Sequence, residues 1–248
     1  METDKLKRIS QILDIERSTR AYLYEKNKAI QDRDIDCLIH PSSIGYCTRK
    51  LQYHYIGERP VHKIGSQTRS IFDQGHAIHD LLQERLENVL QYISTSSFEK
   101  LDLTLEVEKS INNTSFAEEL ELAGSADGLI TMGVQDTTYT IIYEAKSISS
   151  KGWEKLSSPL LKHRLQTAIY AKAFEADAVL FEYFCKNSSI SKWFLIEPDA
   201  EALETAINQI QKVRSYTRSL RLIPHEGSTY ECRECAYLET CKPPGVPL

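Results

Sequence analysis

Apolar and polar positions alternate along the chain at two different periods, and the change of period divides it into segments. Residues 4–30 place Leu6, Ile9 and Leu13 on one face among many charges, which predicts an amphipathic helix. A polar stretch with Asp32, Asp34 and Asp36 follows. Ser42 or Ser43, after Pro41, can then cap a helix running to about Ile56 and ended by Gly57-Glu58-Arg59-Pro60. Ile71, Ile78, Leu82, Leu86, Val89 and Ile93 predict one long helix over about 66–93. Beyond it the period drops to two. Residues 101–107 alternate as a half-buried strand does, 119–124 read the same way, and 126–130 continue the pattern after a bend at Gly124. Residues 139–146 are β-branched and aromatic, as in a central strand. Residues 160–177 return to helical spacing, 178–185 and 190–197 predict strands joined at 186–189, and Leu203, Ile207, Ile210, Val213, Thr217 and Leu220 mark a last helix. The order predicts an α/β fold, with a central mixed sheet flanked by helices, a helical N-terminal part, and a tail after Pro224.

Composition narrows the class. The 248 residues suffice for one large core, and the 41% hydrophobic and 26% charged content is ordinary for a globular chain. No apolar run approaches the roughly 20 residues of a membrane helix. Met1–Arg8 has no apolar stretch of a secretory signal, so the expected setting is cytoplasmic and reducing, away from membranes. The formal charge of −5 argues against a protein that coats nucleic acid nonspecifically, while leaving room for a local basic groove.

Several positions then carry candidate chemistry. Glu144 and Lys146 are two apart on a predicted strand and share one face, with Ala145 on the other. Asp127, in Gly124-Ser125-Ala126-Asp127-Gly128, can face Glu144 if its strand pairs with 139–146. Two carboxylates so placed repel unless a divalent cation holds them, and hard oxygen ligands suit Mg²⁺ or Mn²⁺. Plainer readings are a solvated strand end for Glu144 and Lys146, and a turn residue for Asp127. His79 flanks the apolar stripe of the long helix, with His76 one turn earlier as a geometric substitute. Either also reads as a partly buried helix histidine. Gln166 and Tyr170 share a helix face, and Lys162, His163 and Arg164 lie one turn upstream as phosphate contacts or as surface charge.

The ordered set Gly75-x-x-x-His79, Gly124-x-x-Asp127, Glu144-x-Lys146 and Gln166-x-x-x-Tyr170 resembles the RecB-like branch of the PD-(D/E)xK nucleases, over about residues 40–245. The resemblance implies a restriction-endonuclease-like core and a divalent-metal-dependent DNA exonuclease. In it His79, Asp127 and Glu144 would bind the metal, with the Ala145 carbonyl as a further ligand. Lys146 would position or activate the attacking water, and Gln166 and Tyr170 would orient the scissile strand. The expected substrate is DNA, single-stranded or with free ends. The expected settings are recombination and repair, phage DNA processing or CRISPR adaptation. The chain has no Gly-x-x-x-x-Gly-Lys-Ser/Thr motif, so a helicase, recombination or integrase partner would be a separate protein. The alternative is a non-catalytic DNA-end-binding subunit of a larger complex.

Cysteines complete the picture. Cys232-x-x-Cys235 and Cys241 give three soft ligands, one short of a closed tetrahedral site, and Cys47 is the candidate fourth. The resemblance supports Cys47, because Cas-four and AddB-type nucleases carry one cysteine before the nuclease motifs and a C-x2-C-x5-C set after them, together binding a 4Fe–4S cluster. Zn²⁺ is the alternative, although zinc ribbons usually offer two paired knuckles and Cys47 stands alone. Cys37 and Cys185 have no partner by spacing and read as small buried residues. On this reading residues 1–40 are a helical extension, and residues 41–248 are one nuclease domain closed by the cluster.

Overall fold

A computed structural model describes residues 21–23, 25–26, 35–61, 65–96, 101–233, 235–243 and 245, with Thr229 described in its backbone alone. Most of the helix expected over 4–30 lies outside these residues. The chain enters with a 3₁₀ turn at Pro41–Ser43, then α1 (Thr48–Tyr55), α2 (Ser66–Ser96), β1 (Asp102–Ser110), α3 (Ser115–Leu120), β2 (Ser125–Val134) and β3 (Thr137–Ile148). There follow α4 (Ser150–Lys155), α5 (Leu161–Ala173), β4 (Ala178–Cys185), β5 (Ser191–Ile196), α6 (Ala200–Arg218), α7 (Thr229–Arg233) and α8 (Leu238–Cys241).

The five strands form one sheet in the order β1-β2-β3-β4-β5. All neighbours are antiparallel except β3 and β4, which run parallel and therefore need the α4–α5 crossover to connect them. β2 and β3 meet in a two-residue hairpin, with Val134 paired to Thr137 and Gln135 at φ 54°. Period-two alternation splits the core between the two faces. Ile142, Phe181 and Tyr183 pack with Leu165 and Ile169 of α5 and Ile210 of α6. Tyr143, Ala145, Ile130 and Phe184 pack with Leu82 and Leu86 of α2. The expected α/β architecture with a mixed, helix-flanked sheet is what the chain adopts. Among the described residues no helix is long and apolar enough to cross a membrane.

Four expectations need correction. Residues 119–124 are not a strand. Thr114 caps α3 by accepting from the Ala117 amide, and Glu121 ends it in the left-handed region. That local cap overrides the alternation of Glu119-Leu120-Glu121-Leu122, of which only Leu122 makes a β-bridge, to Ile39. Neither Ser42 nor Ser43 caps α1, since the chain first makes the 3₁₀ turn and Cys47 occupies the N-cap position. The stripe of α2 is buried at Leu82 and Leu86, with Ile78 and Leu90 packed beside them, whereas Ile71, Val89 and Ile93 stay exposed. Cys185 is buried as expected, but Cys37 is exposed.

Candidate active site and cysteine centre

Strand register sets carboxylates in a row across three strands. Gly128 pairs with Tyr143, so the next step along β2 and β3 places Asp127 opposite Glu144. On the other side, the pairs Val107–Gly128 and Lys109–Ala126 bracket Glu108 opposite Asp127. The β1–β2 ladder has no rung at Glu108, whose φ of 48° lies in the left-handed region. The Ala145 amide donates to Asp127 Oδ2 at 2.8 Å, which fixes that carboxylate against β3. Thus the engaged group of Ala145 is its N–H.

Burial makes this row electrostatically demanding. Glu144 is 0% exposed. One of its oxygens is ion-paired with Lys146 Nζ, and neither accepts a directed hydrogen bond. Burial first, and then the Asp127 carboxylate, push the Glu144 carboxyl above the ordinary carboxylate range, against the opposing pull of Lys146. Burial also works against the Lys146 charge, but Glu144 and Asp127 outweigh it and hold the ammonium above its usual value. A wholly buried carboxylate balanced by a single ammonium and facing a second carboxylate is a donor set that fits a hard divalent cation.

α2 closes the site from one face. His79 Nδ1 lies 3.5 Å from Asp127 Oδ2, so the sequence-predicted histidine does meet the sequence-predicted aspartate. Glu144 is turned toward Lys146. Among the described residues the ligand atoms of His79, Asp127 and Glu144 do not all lie within 4.8 Å of one another. One turn beyond His79, the buried Gln83 donates from Nε2 to the Asp127 carbonyl at 2.7 Å and to Glu108 Oε1 at 3.1 Å. Sequence reasoning missed both Gln83 and Glu108. The only signal for Gln83 was its i+4 offset from His79. Glu108 looked like one more polar position of an alternating strand.

α5 closes the other face. Gln166 and Tyr170 are buried one turn apart on the same helix. Burial and then the Glu144 charge raise the Tyr170 phenol well above its usual value, so it stays a protonated donor. The run Lys162-His163-Arg164 is not a free basic patch. Arg164 pairs with Asp199 at 2.9 Å, in front of α6. His163 Nδ1 lies 2.7 Å from the Tyr183 hydroxyl, which also accepts from the Leu160 amide. Only Lys162 reaches outward, to the Tyr46 hydroxyl at 3.1 Å and over its ring.

Four cysteines, one of them distant in sequence from the other three, line one cavity of about 440 Å³, together with Lys50, Tyr53, His225 and Tyr237. They are Cys47, Cys232, Cys235 and Cys241. Gly227 lies beside two of these sulfurs. A Cβ there would lie 3.2 Å from Cys232 Sγ and 3.4 Å from Cys47 Sγ, so these two sulfurs flank one point. His225 Nε2 lies 3.0 Å from Cys232 Sγ, and Arg49 donates to Cys241 Sγ at 3.6 Å. Burial raises the Cys232 thiol, with the other three cysteines adding to it. Burial likewise raises Cys235. Clustered thiols of this kind fit a thiophilic centre, whose positive charge would reverse those shifts.

A model of the PD-(D/E)XK nuclease superfamily matches residues 69–242 of the sequence. No curated protein matches the chain. Among solved structures, the crystal structure of SSO0001 aligns at 17% identity with a TM-score of 0.48, over 92% of this chain and 97% of that one. An alkaline exonuclease (LHK-Exo) from Laribacter hongkongensis aligns at 13% identity with a TM-score of 0.44, over 74% of this chain and 91% of that one. The matched stretch of sequence contains the carboxylates of all three strands, His79, Lys146, Gln166, Tyr170 and the three C-terminal cysteines, and begins after Cys47.

Proposed function

The chain belongs to the PD-(D/E)XK nuclease superfamily, and from that premise we propose that it is a divalent-metal-dependent deoxyribonuclease of the RecB-like branch, degrading DNA from free, chiefly single-stranded ends. The observation that carries the reading is the buried Glu144 carboxylate, without directed hydrogen bonds and held between Lys146 and Asp127. Mg²⁺ or Mn²⁺, when bound, would lower the pKa of a coordinated water and offset charge developing on the scissile phosphate. Asp127, Glu144 and His79 would hold that ion, with the Ala145 carbonyl as a candidate fourth contact. The Ala145 amide keeps Asp127 oriented, and Gln83 fixes the backbone that carries it. Lys146 would place its ammonium beside the attacking water and the phosphate. Gln166 and Tyr170, on the face opposite α2, would orient the strand being cut.

We read the cysteine cavity as a 4Fe–4S site held by Cys47, Cys232, Cys235 and Cys241, with Zn²⁺ as the alternative occupant. Thiolates around one zinc ion lie about 3.8 Å apart, given Zn–S bonds near 2.3 Å. Among the described residues no three of these sulfurs lie within 4.8 Å of one another, which favours the larger centre. Residues 41–248 would then form one nuclease domain in a reducing cytoplasm. It would serve recombination, phage DNA processing or CRISPR adaptation beside a separate helicase or integrase.

The test is digestion of end-labelled single-stranded and duplex DNA, free or blocked at either end, with Mg²⁺ or Mn²⁺. Cleavage should require an open end and a divalent ion, and Lys146→Ala or Glu144→Ala should lower it at least about a hundredfold. Undiminished cleavage by either variant would sink the mechanism. Tight end binding by the wild type with no cleavage would leave a DNA-binding subunit in its place.

A further inference from the structure

Outside the carboxylate row and the cysteine cavity, three other side chains converge. His40 Nε2 lies 2.9 Å from Asp36 Oδ2, and His54 Nε2 lies 3.2 Å from Asp36 Oδ1. All three residues offer ligand atoms within 4.8 Å of one another, and they are the one such group among the described residues. Ligands bound at about 2.1 Å to a zinc ion lie about 3.0–3.4 Å from each other, between octahedral and tetrahedral angles. The two separations from imidazole nitrogen to the carboxylate are close to that size.

The arrangement is anchored on both sides. The Leu38 amide donates to Asp36 Oδ1 at 3.1 Å. Ile39, wholly buried, is bonded through its backbone to Glu121 and Ala123, and it fixes the position of His40. His54 sits in the last turn of α1, whose Leu51, Gln52 and Tyr53 are buried against the rest of the molecule. The two imidazoles meet edge to face at 5.3 Å. Both histidine side chains are about one-third exposed, at 33% and 32%, which leaves a path for an ion and its waters.

We propose that Asp36, His40 and His54 bind a zinc-class divalent ion that clips residues 36–40 to the end of α1. Two imidazoles and one carboxylate suit a borderline ion such as Zn²⁺, whereas Mg²⁺ prefers an all-oxygen shell. The clip would act in the segment that leads into Cys47, using none of the residues assigned to phosphodiester cleavage. Without an ion the same geometry is two histidines donating to one aspartate, and metal binding separates the two cases.

The experiment is equilibrium dialysis of the full chain against ZnCl₂, followed by metal analysis, on the wild type, Asp36→Asn, His40→Ala and His54→Ala. Each variant should hold one equivalent of Zn²⁺ fewer than the wild type, while Asp127→Asn keeps that equivalent. Saturating Zn²⁺ should also raise the wild-type Tm by roughly 5–10 °C more than that of any of the three variants. Co²⁺ in the site should show visible ligand-field bands without sulfur charge transfer, and His54→Ala should lose them. Equal zinc content and equal Tm shifts across the wild type and the three variants would overturn the site, whatever the nuclease assay shows.

Discussion

Gln83 holds the carboxylate row in place without being part of it. Its amide ties the Asp127 carbonyl on β2 to the Glu108 side chain on β1. Truncation removes both bonds and leaves a carbonyl under-satisfied in a buried place. Gln83→Ala should therefore cost about 1–3 kcal/mol of stability and lower cleavage with it. Thermal melts and single-turnover rates on one preparation check both effects. A variant with wild-type Tm and rate would show the bridge to be idle. His163 gives a second test at this scale. Tyr183 accepts from the Leu160 amide, and its hydroxyl lies 2.7 Å from His163 Nδ1. Burial, then Lys146 and Lys162, push His163 down to about 3. Unfolded histidine titrates near 6.5, so the unfolded chain takes up this proton first. The contribution is whole above pH about 6.5 and drains away as pH falls toward about 3. Urea melts at pH 7.5 and 4.5 should show a smaller acid loss for His163→Gln than for the wild type. Gln83 carried no signal of this role in the sequence and His163 read as a phosphate contact or surface charge, because each gains its role from partners on strands that only folding brings near.

The elements that were legible are those in which local pattern and burial agree. Residues 139–146 predicted a central strand, and β3 is paired on both sides. Asp127, Glu144 and Lys146 could be grouped because strand period and pairing follow from the pattern. The failure at residues 119–124 has the opposite cause. A six-residue helix is too short to show its own period, so the Thr114 cap that starts it was outweighed by chance alternation. The turn at Gly45-Tyr46-Cys47 was likewise unreadable. Gly45 adopts φ 85°, and a Cβ there would lie 2.9 Å from Leu165 Cδ1, so the turn is pressed onto α5. It presents Tyr46 at 40% exposure, with Lys50 Nζ 5.7 Å and Lys162 Nζ 5.3 Å from the ring centre. An exposed ring flanked by two ammonium groups is suited to stacking a base while its phosphates are neutralised. Tyr46→Ala should weaken single-stranded DNA binding by about 1–3 kcal/mol. Lys50→Gln and Lys162→Gln should each flatten the log–log salt slope by about 0.7. Fluorescence anisotropy at several salt concentrations measures both. An unchanged affinity and slope would remove this turn from the DNA path.

At the scale of the whole molecule, the −5 charge says little about DNA, because many cations are already engaged within the protein. Lys146 pairs with Glu144, Arg164 with Asp199, and Arg49 donates to the Ile223 carbonyl and to Cys241. The Arg49 contacts belong to a larger seam that joins the front of the chain to its tail. Gln52 exchanges hydrogen bonds with Arg221 and Ile223, Tyr53 stacks on Tyr237 at 5.4 Å, and the Val61 amide donates to Ala236. The cysteine cavity lies in this seam, so a cluster there would add a crosslink between segments that already pack. The sequence could supply three of its ligands by spacing, while Cys47 needed the family resemblance, since nothing local marks an N-cap cysteine as a partner of residues 185 or more positions away. If the centre is a 4Fe–4S cluster, protein purified without oxygen should be brown and contain iron and sulfide, and Cys47→Ser or Cys232→Ser should lose both. The loss should be local in its effect on stability. Amides in residues 47–61 and 221–243 should exchange faster, because the crosslink is gone. Those of β2, β3 and β4 should keep their protection, because their core does not include the cysteines. Stoichiometric zinc without iron would reassign the centre. Global loss of protection in both variants would mean that the cluster holds the whole fold together, and with it the carboxylate row on β1, β2 and β3.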